Sequence, residues 1–179
     1  MLQFEIHPTT ASDLPRLMAM DHSVRSESVW QLELRRDAGQ FFATFREVRL
    51  PRPITLTYPH DPFALADDWK RRSPMLTAIS GAEPVGYLSG IDQPAGSLVR
   101  ITDIVVATQA RRQGLGSALL EAAEAWATKR GSRRVMIELP SKNLPAIRLA
   151  QKHGYEFCGY NDHYYLSQDV ALFFVRALR

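Results

Sequence analysis

Runs of aliphatic and β-branched residues alternate along the chain with segments in which apolar residues recur every three or four positions. The runs predict strands at about 4–6, 75–79, 85–91, 98–106, 134–139, 155–157 and 168–175. The helical spacing predicts helices at about 12–18, 115–130 and 143–152. Segments 45–48 and 54–58 are also strand-like, and the prolines between them favour a hairpin or a bent edge strand. The pattern predicts a mixed α/β domain.

The order of these elements restricts the topology. Strands 75–79 and 85–91 are joined by a turn that contains glycine and proline, which predicts an antiparallel hairpin. A second turn leads into strand 98–106. Because a helix then joins this strand to strand 134–139, a right-handed crossover is expected, and the two strands are expected to be parallel.

A short basic loop joins strand 98–106 to the helix that follows it. Its sequence is Arg111-Arg112-Gln113-Gly114-Leu115-Gly116-Ser117. Glycine lets a ligand approach the backbone closely, and the first N–H groups of a helix are unpaired at the positive end of its dipole. With two arginines as bidentate donors, the loop favours binding of a phosphate or pyrophosphate.

Two other phosphate-binding loops do not fit these residues. A P-loop requires a lysine directly after its last glycine, and no lysine follows Gly114 or Gly116. A dinucleotide fingerprint requires glycine or alanine at the position of Leu119 and an acidic residue near Arg133. The loop therefore represents another class of phosphate site.

The loop resembles the acyl-CoA loop of the GNAT acetyltransferases. Their signature is Arg or Gln, two residues, Gly, one residue and then Gly or Ala, and residues 111–116 match it between a strand and a helix. The resemblance implies that acetyl-CoA is the co-substrate. It implies binding of acetyl-CoA at Ile104, Val105, Val106, Arg111, Arg112, Gln113, Gly114, Leu115, Gly116, Ser117, Asn143 and Ala146.

A second stretch resembles the other GNAT signature, Asn-x-x-Ala-x-x-x-Tyr-x-x-x-Gly-Phe. Asn143, Ala146, Gly154 and the aromatic Tyr155 are in register with it. Ala150 stands where the family often has the tyrosine that protonates the departing CoA thiolate. The motif therefore leaves this proton donor unassigned.

The resemblance also implies the fold. A GNAT fold has a mixed central sheet of about seven strands, helices on both faces and a splay between the two central parallel strands. Residues 1–179 are expected to form a single GNAT domain, with segment 22–40 in the acceptor-side wall. Asp103, Glu138 and the ending 168–175 additionally resemble streptothricin-type acetyltransferases in part.

Acetyl transfer to an amine requires a neutral nucleophile, a polarised thioester carbonyl and a protonated leaving thiolate. Because an alkyl amine is mostly protonated at neutral pH, a carboxylate is expected to take its proton, directly or through water. Asp103 and Glu138 are the candidates, because they flank the expected splay. Each has a structural alternative, a bulge hydrogen bond for Asp103 and a salt bridge for Glu138.

Two roles remain, stabilisation of the oxyanion and protonation of the thiolate, and they are expected of a backbone N–H and of a tyrosine. A backbone N–H near Val105 or Val106 is expected to donate to the oxyanion. Tyr164 is predicted as the catalytic residue that protonates the thiolate. The alternatives are Tyr155, Tyr160, Tyr165 and water.

Composition narrows the class of protein. With 179 residues, 45% of them hydrophobic and 23% charged, the chain suits one globular domain. A net charge of +3 without a polybasic run argues against a nucleic-acid partner, although it suits polyanionic CoA. A single cysteine, no long apolar run and no signal-peptide pattern predict a cytoplasmic protein without a membrane partner.

These features favour an N-acetyltransferase that moves the acetyl group of acetyl-CoA directly to a primary amine of a small molecule. A protein or peptide amine is left open as the acceptor, as is a module that binds acyl-CoA without turnover. A homodimer is open as well, because the last strand of GNAT domains is exposed. No metal is expected, since His60 and Asp61 lie between prolines, as in a turn.

Overall fold

The structure, a computed structural model, describes residues 3–178. Its strands are β1 Glu5–Pro8, β2 Val24–Asp37, β3 Gln40–Leu56, β4 Met75–Ser80, β5 Glu83–Gln93, β6 Leu98–Val106, β7 Arg134–Pro140, β8 Glu156–Asn161 and β9 Ala171–Ala177. Its α-helices are α1 Leu14–Ala19, α2 Leu65–Asp68, α3 Leu115–Lys129 and α4 Leu144–Lys152. The ends of the domain predicted over 1–179 fall on residues 1, 2 and 179, which lie outside the described residues.

Seven of the strands form one sheet in the order β1-β4-β5-β6-β7-β9-β8. The β6 and β7 strands are parallel, and the other neighbours are antiparallel. The predicted mixed sheet of about seven strands, with the 98–106 and 134–139 segments parallel at its centre, is confirmed. Among residues 3–178, no helix is long and apolar enough to cross a lipid bilayer.

The α3 helix packs closely on the sheet. It buries Leu115, Leu119, Leu120, Ala123 and Ala127. Ala122 and Trp126 are only partly buried and pack against the edge of the core. The small alanines that face the sheet let the helix axis approach it.

A close approach between α3 and β5 depends on a glycine. A Cβ atom placed on Gly86 lies 2.8 Å from the Val105 carbonyl oxygen and 3.2 Å from Leu115 Cδ2. No larger residue fits there without displacing the neighbouring strand or the helix. This contact fixes the start of α3 against the sheet.

The two central strands diverge along their length. Pairing of β6 with β7 runs only from Leu98↔Arg134 to Ile101↔Ile137. Directly after this point β6 has an irregularity against β5, where Ser89 pairs with Asp103 and Gly90 pairs with Ile101. The bulge increases the local twist, and β6 turns away from β7. The predicted splay between the central parallel strands is confirmed.

The β2 and β3 strands form a separate long hairpin, of which β2 was not predicted. They pair from Val24↔Leu56 to Asp37↔Gln40. Ala38 and Gly39 both have positive φ, 43° and 82°, as a two-residue hairpin turn requires. The sequence did not predict β2 because its many charged residues mask the alternation of its apolar residues. The turn was not predicted either, because alanine is unusual at the first position of such a turn.

The prolines of β3 lie where its pairing is interrupted. Ser26 pairs with Ile54 and Ser28 pairs with Arg49, so the residues between Arg49 and Ile54 have no partners on β2. Proline lacks the N–H that a paired position needs, and it is tolerated at such an irregularity. Segments 45–48 and 54–56 therefore lie on one bent edge strand, as one of the two predicted alternatives had it, and the alternative of a hairpin between them is wrong.

Candidate active site

The divergence of β6 and β7 opens a cleft of about 2070 Å³. The half predicted to bind acetyl-CoA, the cofactor half, is lined by residues of 104–117 and 142–152. The half expected to receive the amine, the acceptor half, is lined by residues of 54–72 and 164–169. Every predicted site residue except Gln113 lines this cleft. The Gln113 side chain donates to the Gln109 carbonyl at 2.9 Å instead.

The cofactor half begins at the first turn of α3. Gly114 precedes the helix with φ +88°, and no side chain caps the N–H groups of the first turn. These N–H groups are left for a ligand, because the first four of any α-helix lack intrahelical partners. Gly116 follows in that turn, and a Cβ placed on it lies 3.3 Å from Leu149 Cδ2 of α4.

The two arginines of the loop have different environments. The Arg111 guanidinium donates to the carbonyls of Val106 at 2.8 Å, Ser23 at 2.8 Å and Asp21 at 3.2 Å. It therefore anchors the loop to the segment before β2, and most of its donors are already used. Arg112 is exposed, with a φ of 63°, and within residues 3–178 it has no ion-pair partner.

Asn143 caps the second helix that reaches the cofactor half. Its Oδ1 accepts from the Ala146 N–H at 3.2 Å and so satisfies the first turn of α4. The Leu144 N–H reaches Ser26 Oγ at 3.4 Å, which fixes the hairpin against this helix. The predicted contact of Asn143 with acetyl-CoA is thereby limited to its side-chain amide group.

Asp103 is the most enclosed acid of the cleft, with 0% of its side chain exposed. Its carboxylate accepts from Tyr58 Oη and from four other donors. They are His60 Nδ1 at 2.9 Å, Arg72 Nη1 at 2.8 Å, Ser89 Oγ at 2.5 Å and Thr102 Oγ1 at 2.7 Å. Burial alone would raise the pKa of Asp103, but the hydrogen bonds and charge of His60, followed by the Ser89 bond, hold it well below its usual value.

A chain of rings continues from Asp103 into the protein. Tyr58 Oη lies 3.1 Å from Tyr87 Oη, which lies 3.1 Å from His22 Nε2. His22 Nδ1 is 2.6 Å from the Met20 carbonyl. Burial lowers the pKa of His22 and raises that of Tyr87, so both rings are kept neutral.

Glu138 lies on β7 across the gap from Asp103. Tyr164 Oη donates to its Oε2 at 3.1 Å, and Arg100 Nη1 lies 3.6 Å from the same oxygen. Only 3% of the Glu138 side chain is exposed. Burial raises the pKa of Glu138 above its usual value, and neither Arg100 nor Tyr164 fully compensates. The pKa values of the two predicted carboxylates are therefore shifted in opposite directions: that of Asp103 is lowered and that of Glu138 is raised.

The structure separates the tyrosine candidates. Tyr164 and Tyr165 line the cleft, whereas Tyr155 Oη donates to Glu124 at 2.8 Å and Tyr160 packs on Phe45 outside it. Ala150 is fully buried in the core and does not line the cleft. Burial, followed by the charge of Glu138, raises the pKa of Tyr164, so its hydroxyl stays protonated at neutral pH.

The sequence did not predict that Tyr58, His60 and Arg72 of the acceptor half contact Asp103. All three lie before β4, far from β6 in sequence. The only local feature that could have indicated a site here is the pair of polar aromatic residues, Tyr58 and His60, shortly after a strand. The predicted wall at 22–40 contributes only its first part, since His22, Val24 and Arg25 line the cleft and the rest of β2 does not.

The comparisons with known proteins bear on this geometry. A model of the acetyltransferase (GNAT) family matches residues 30–155, which include the divergent strands and both helix starts of the cleft. This chain belongs to the GNAT family. It is an acetyl-CoA-dependent acetyltransferase.

Streptothricin and nourseothricin acetyltransferases are among the similar proteins. The streptothricin acetyltransferase of Streptomyces lavendulae is 25% identical over 167 residues, which are 90% of this chain and 86% of that protein. The crystal structure of nourseothricin acetyltransferase has a TM-score of 0.82 at 23% identity, covering 98% of this chain and 99% of the other. The structure of a putative streptothricin acetyltransferase from Bacillus anthracis, in complex with acetyl coenzyme A, has a TM-score of 0.74 at 18% identity and covers 99% of both chains.

The cofactor half of this GNAT enzyme fits acetyl-CoA. The uncapped first turn of α3 presents N–H groups to the cleft, and Gly114 and Gly116 leave room above them. Arg112 and Lys152 add positive charge along the same wall. When bound, acetyl-CoA supplies the activated acetyl group as a thioester.

Proposed function

We propose that this enzyme acetylates a primary amine of a small molecule by direct transfer from acetyl-CoA. The observation that carries the proposal is the approach of the two segments that line the acceptor half. The segment after β3 and the segment before β9 come together there, with the ring centroids of His60 and Tyr165 6.1 Å apart. A groove for an extended peptide needs to continue past this point, whereas a small amine does not.

The charge of the acceptor half supports an amine. Glu138 is the carboxylate that faces the gap, and Arg100 at 3.6 Å is beyond hydrogen-bond distance and leaves it only partly neutralised. An ammonium group that enters the acceptor half donates hydrogen bonds to the Glu138 carboxylate in place of the water that burial has removed. The likeness to a streptothricin acetyltransferase at 25% identity supports the same class of acceptor.

Residue roles follow from these environments. Glu138 attracts and orients the acceptor nitrogen. A backbone N–H of β6 near Val105 or Val106, on the side that β7 leaves open, donates to the developing oxyanion. Tyr164 delivers the proton that the thiolate takes, because its hydroxyl is protonated and lines the cleft. Asp103, although predicted as a base, is a poor proton acceptor with its five hydrogen bonds and lowered pKa.

The test is release of CoA thiol from acetyl-CoA with streptothricin, an aminoglycoside, a polyamine and a peptide with a free N-terminus as acceptors. We expect turnover with at least one of the three small amines and none with the peptide. Turnover with the peptide alone assigns the enzyme to protein acetylation instead. The cytoplasmic location, a homodimer, and the absence of nucleic-acid and membrane partners stay predictions.

A further inference from the structure

His60 and Asp103 form a dyad at the acceptor end of the cleft. His60 Nδ1 is 2.9 Å from Asp103 Oδ1. The aspartate is fully enclosed, whereas 31% of the His60 side chain is exposed, toward the cleft that it lines. One member of the pair is therefore fixed inside the protein and the other is open to a ligand.

The dyad determines the tautomer of the imidazole. An ionised carboxylate only accepts hydrogen bonds, and the low pKa of Asp103 keeps it ionised. Nδ1 must therefore carry the proton, and in the neutral ring Nε2 has a free lone pair. Within residues 3–178, Nε2 has no hydrogen-bond partner and is not a buried atom. Because His60 lines the cleft, Nε2 is accessible from there.

We propose that Nε2 of His60 is the general base that deprotonates the acceptor ammonium, and that Asp103 is its positioning residue. The proposal rests on the proposed function, because it assigns the base for acetylation of an amine. The sequence had assigned His60 to a turn and had made Asp103 a candidate for the base itself. Asp61, the residue next to it, does have the turn role, since its Oδ1 accepts from the Phe63 N–H at 2.9 Å.

The proton balance of the step is simple. One N–H bond of the substrate ammonium breaks, its electron pair stays on nitrogen as the nucleophilic lone pair, and the proton binds to His60 Nε2. The imidazolium that forms is stabilised by the negative charge of Asp103, and it returns the proton to solvent through the open side of the cleft. The C–N bond then forms, and the acetyl C–S bond breaks with its electron pair on sulfur. The leaving sulfur takes a proton from Tyr164, and the second proton of the nitrogen passes to water, from which Tyr164 is reprotonated.

Other groups near His60 tune the step. Burial opposes charging of the ring, but the hydrogen bond and charge of Asp103 outweigh it and raise the pKa of His60 above its usual value. The titratable and charged groups that face it are Tyr58, Arg72, Asp103, Glu138 and Tyr165. Among them Glu138 also raises the pKa of His60, and Arg72 lowers it. The raised pKa makes Nε2 of the neutral ring a stronger proton acceptor than an ordinary histidine.

The kinetic test compares pH profiles of kcat/KM for the panel amine that the wild-type enzyme acetylates fastest. His60→Asn keeps an N–H donor near the position of Nδ1 but has no atom at the position of Nε2. We expect kcat/KM to fall about 100-fold at pH 7 in this variant. We also expect the acidic limb of the wild-type profile to disappear, while the Kd for CoA is unchanged.

His163→Asn is the matched control, because His163 is exposed and does not line the cleft. We expect its profile to coincide with that of the wild type. A His60→Asn enzyme that keeps the acidic limb and at least a third of the wild-type kcat/KM overturns the proposal. Asp103→Asn, where it folds, is expected to move the acidic limb to lower pH, because the charge that raises the pKa of His60 is gone.

A second measurement needs no acceptor and separates this inference from the proposed function. In ¹⁵N-labelled protein, imidazole NMR is expected to show His60 with a protonated Nδ1 and a bare Nε2 above its pKa. A bare Nδ1 with a protonated Nε2 contradicts the dyad, even in an enzyme with good turnover of a small amine. Conversely, failure of all small amines with the expected tautomer rejects the proposed acceptor class and leaves the dyad in place.

Discussion

Tyr164 donates a hydrogen bond to Glu138 over 3.1 Å and thereby connects the segment before β9 to the carboxylate beside the strand gap. The contact joins a partly buried phenol to a buried acid whose pKa is raised. Since both side chains line the cleft, a change in either is expected to alter the chemistry more than the fold.

Removing the Tyr164 hydroxyl tests the proton donor. In Tyr164→Phe we expect kcat to fall about tenfold, less than for a typical general acid because a thiolate already leaves readily. Thiol release at saturating acetyl-CoA measures this change. Tyr160→Phe is the control, because the Tyr160 ring packs on Phe45 outside the cleft. Equal loss in both variants contradicts a specific role for Tyr164.

Removing the charge of Glu138 tests the recognition of the amine. In Glu138→Gln we expect KM for the amine to rise about tenfold, the change expected for loss of one charged hydrogen bond. KM for acetyl-CoA is expected to stay within about twofold, since the uncapped turn of α3 is not altered. Initial rates with each substrate varied in turn measure both constants. Glu156→Gln on β8, which is exposed, is the control and should leave both unchanged.

The raised pKa of Glu138 also predicts the sign of a stability effect. The folded protein holds a proton on this group more tightly than the unfolded chain, so its contribution to stability is present below the usual pKa and is lost as the pH rises through the raised one. Glu138→Gln therefore should not lower Tm at pH 8. A clear loss of Tm in this variant shows that the ion pair with Arg100 outweighs the cost of burial.

Asp103 is expected to stabilise the fold. Asp103→Asn leaves Arg72 without its partner in a buried site, and we expect the free energy of unfolding to fall by about 3 kcal/mol. Because the folded pKa of Asp103 is below 3.8, its contribution is present above that value and is lost as the pH falls through the folded pKa. Urea unfolding of both proteins at pH 7 measures the change, and because pH 4 is still above 3.8, most of the difference is expected to persist there.

Asp92→Asn provides the comparison for Asp103. It breaks an ion pair with Arg130, whose side chain is 55% exposed, and such a pair is expected to contribute about 1 kcal/mol or less. Similar losses in the two variants would falsify the structural role assigned to Asp103.

The two loop arginines are predicted to act in different ways. Arg111→Ala removes donors to three backbone carbonyls, so we expect Kd for CoA to rise about tenfold, together with a lower Tm. Arg111→Lys is not expected to restore either value, because lysine lacks the planar fork. Titration calorimetry and thermal unfolding measure the two effects.

Arg112→Ala removes an exposed charge and is the counterpart. We expect Kd for CoA to rise about threefold at low salt, and this difference to vanish at high salt while Tm stays constant. If the two alanine variants behave alike, Arg111 contacts the ligand directly and its backbone bonds are secondary.

Local sequence determined the cofactor half of the cleft. The strand, the glycine loop and α3 are contiguous, so their periodicity and the positions of Gly114 and Gly116 predicted the element bounds closely. The same holds for Asn143, which caps α4 within three residues. Short-range signals of this kind depend on helix and strand geometry alone.

Tertiary structure decided the acceptor half. Tyr58 and His60 reach Asp103 over separations of 45 and 43 residues, and Arg72 reaches it over 31. Their convergence depends on the bulge in β6 and on the path of the chain after β3, and neither has a local sequence signal. The sequence by itself thus determined the loop and helix starts that are predicted to bind acetyl-CoA, whereas the environments of Asp103, His60 and Arg111 depended on distant partners. The physical reason is that burial and charge at a side chain are properties of everything packed around it.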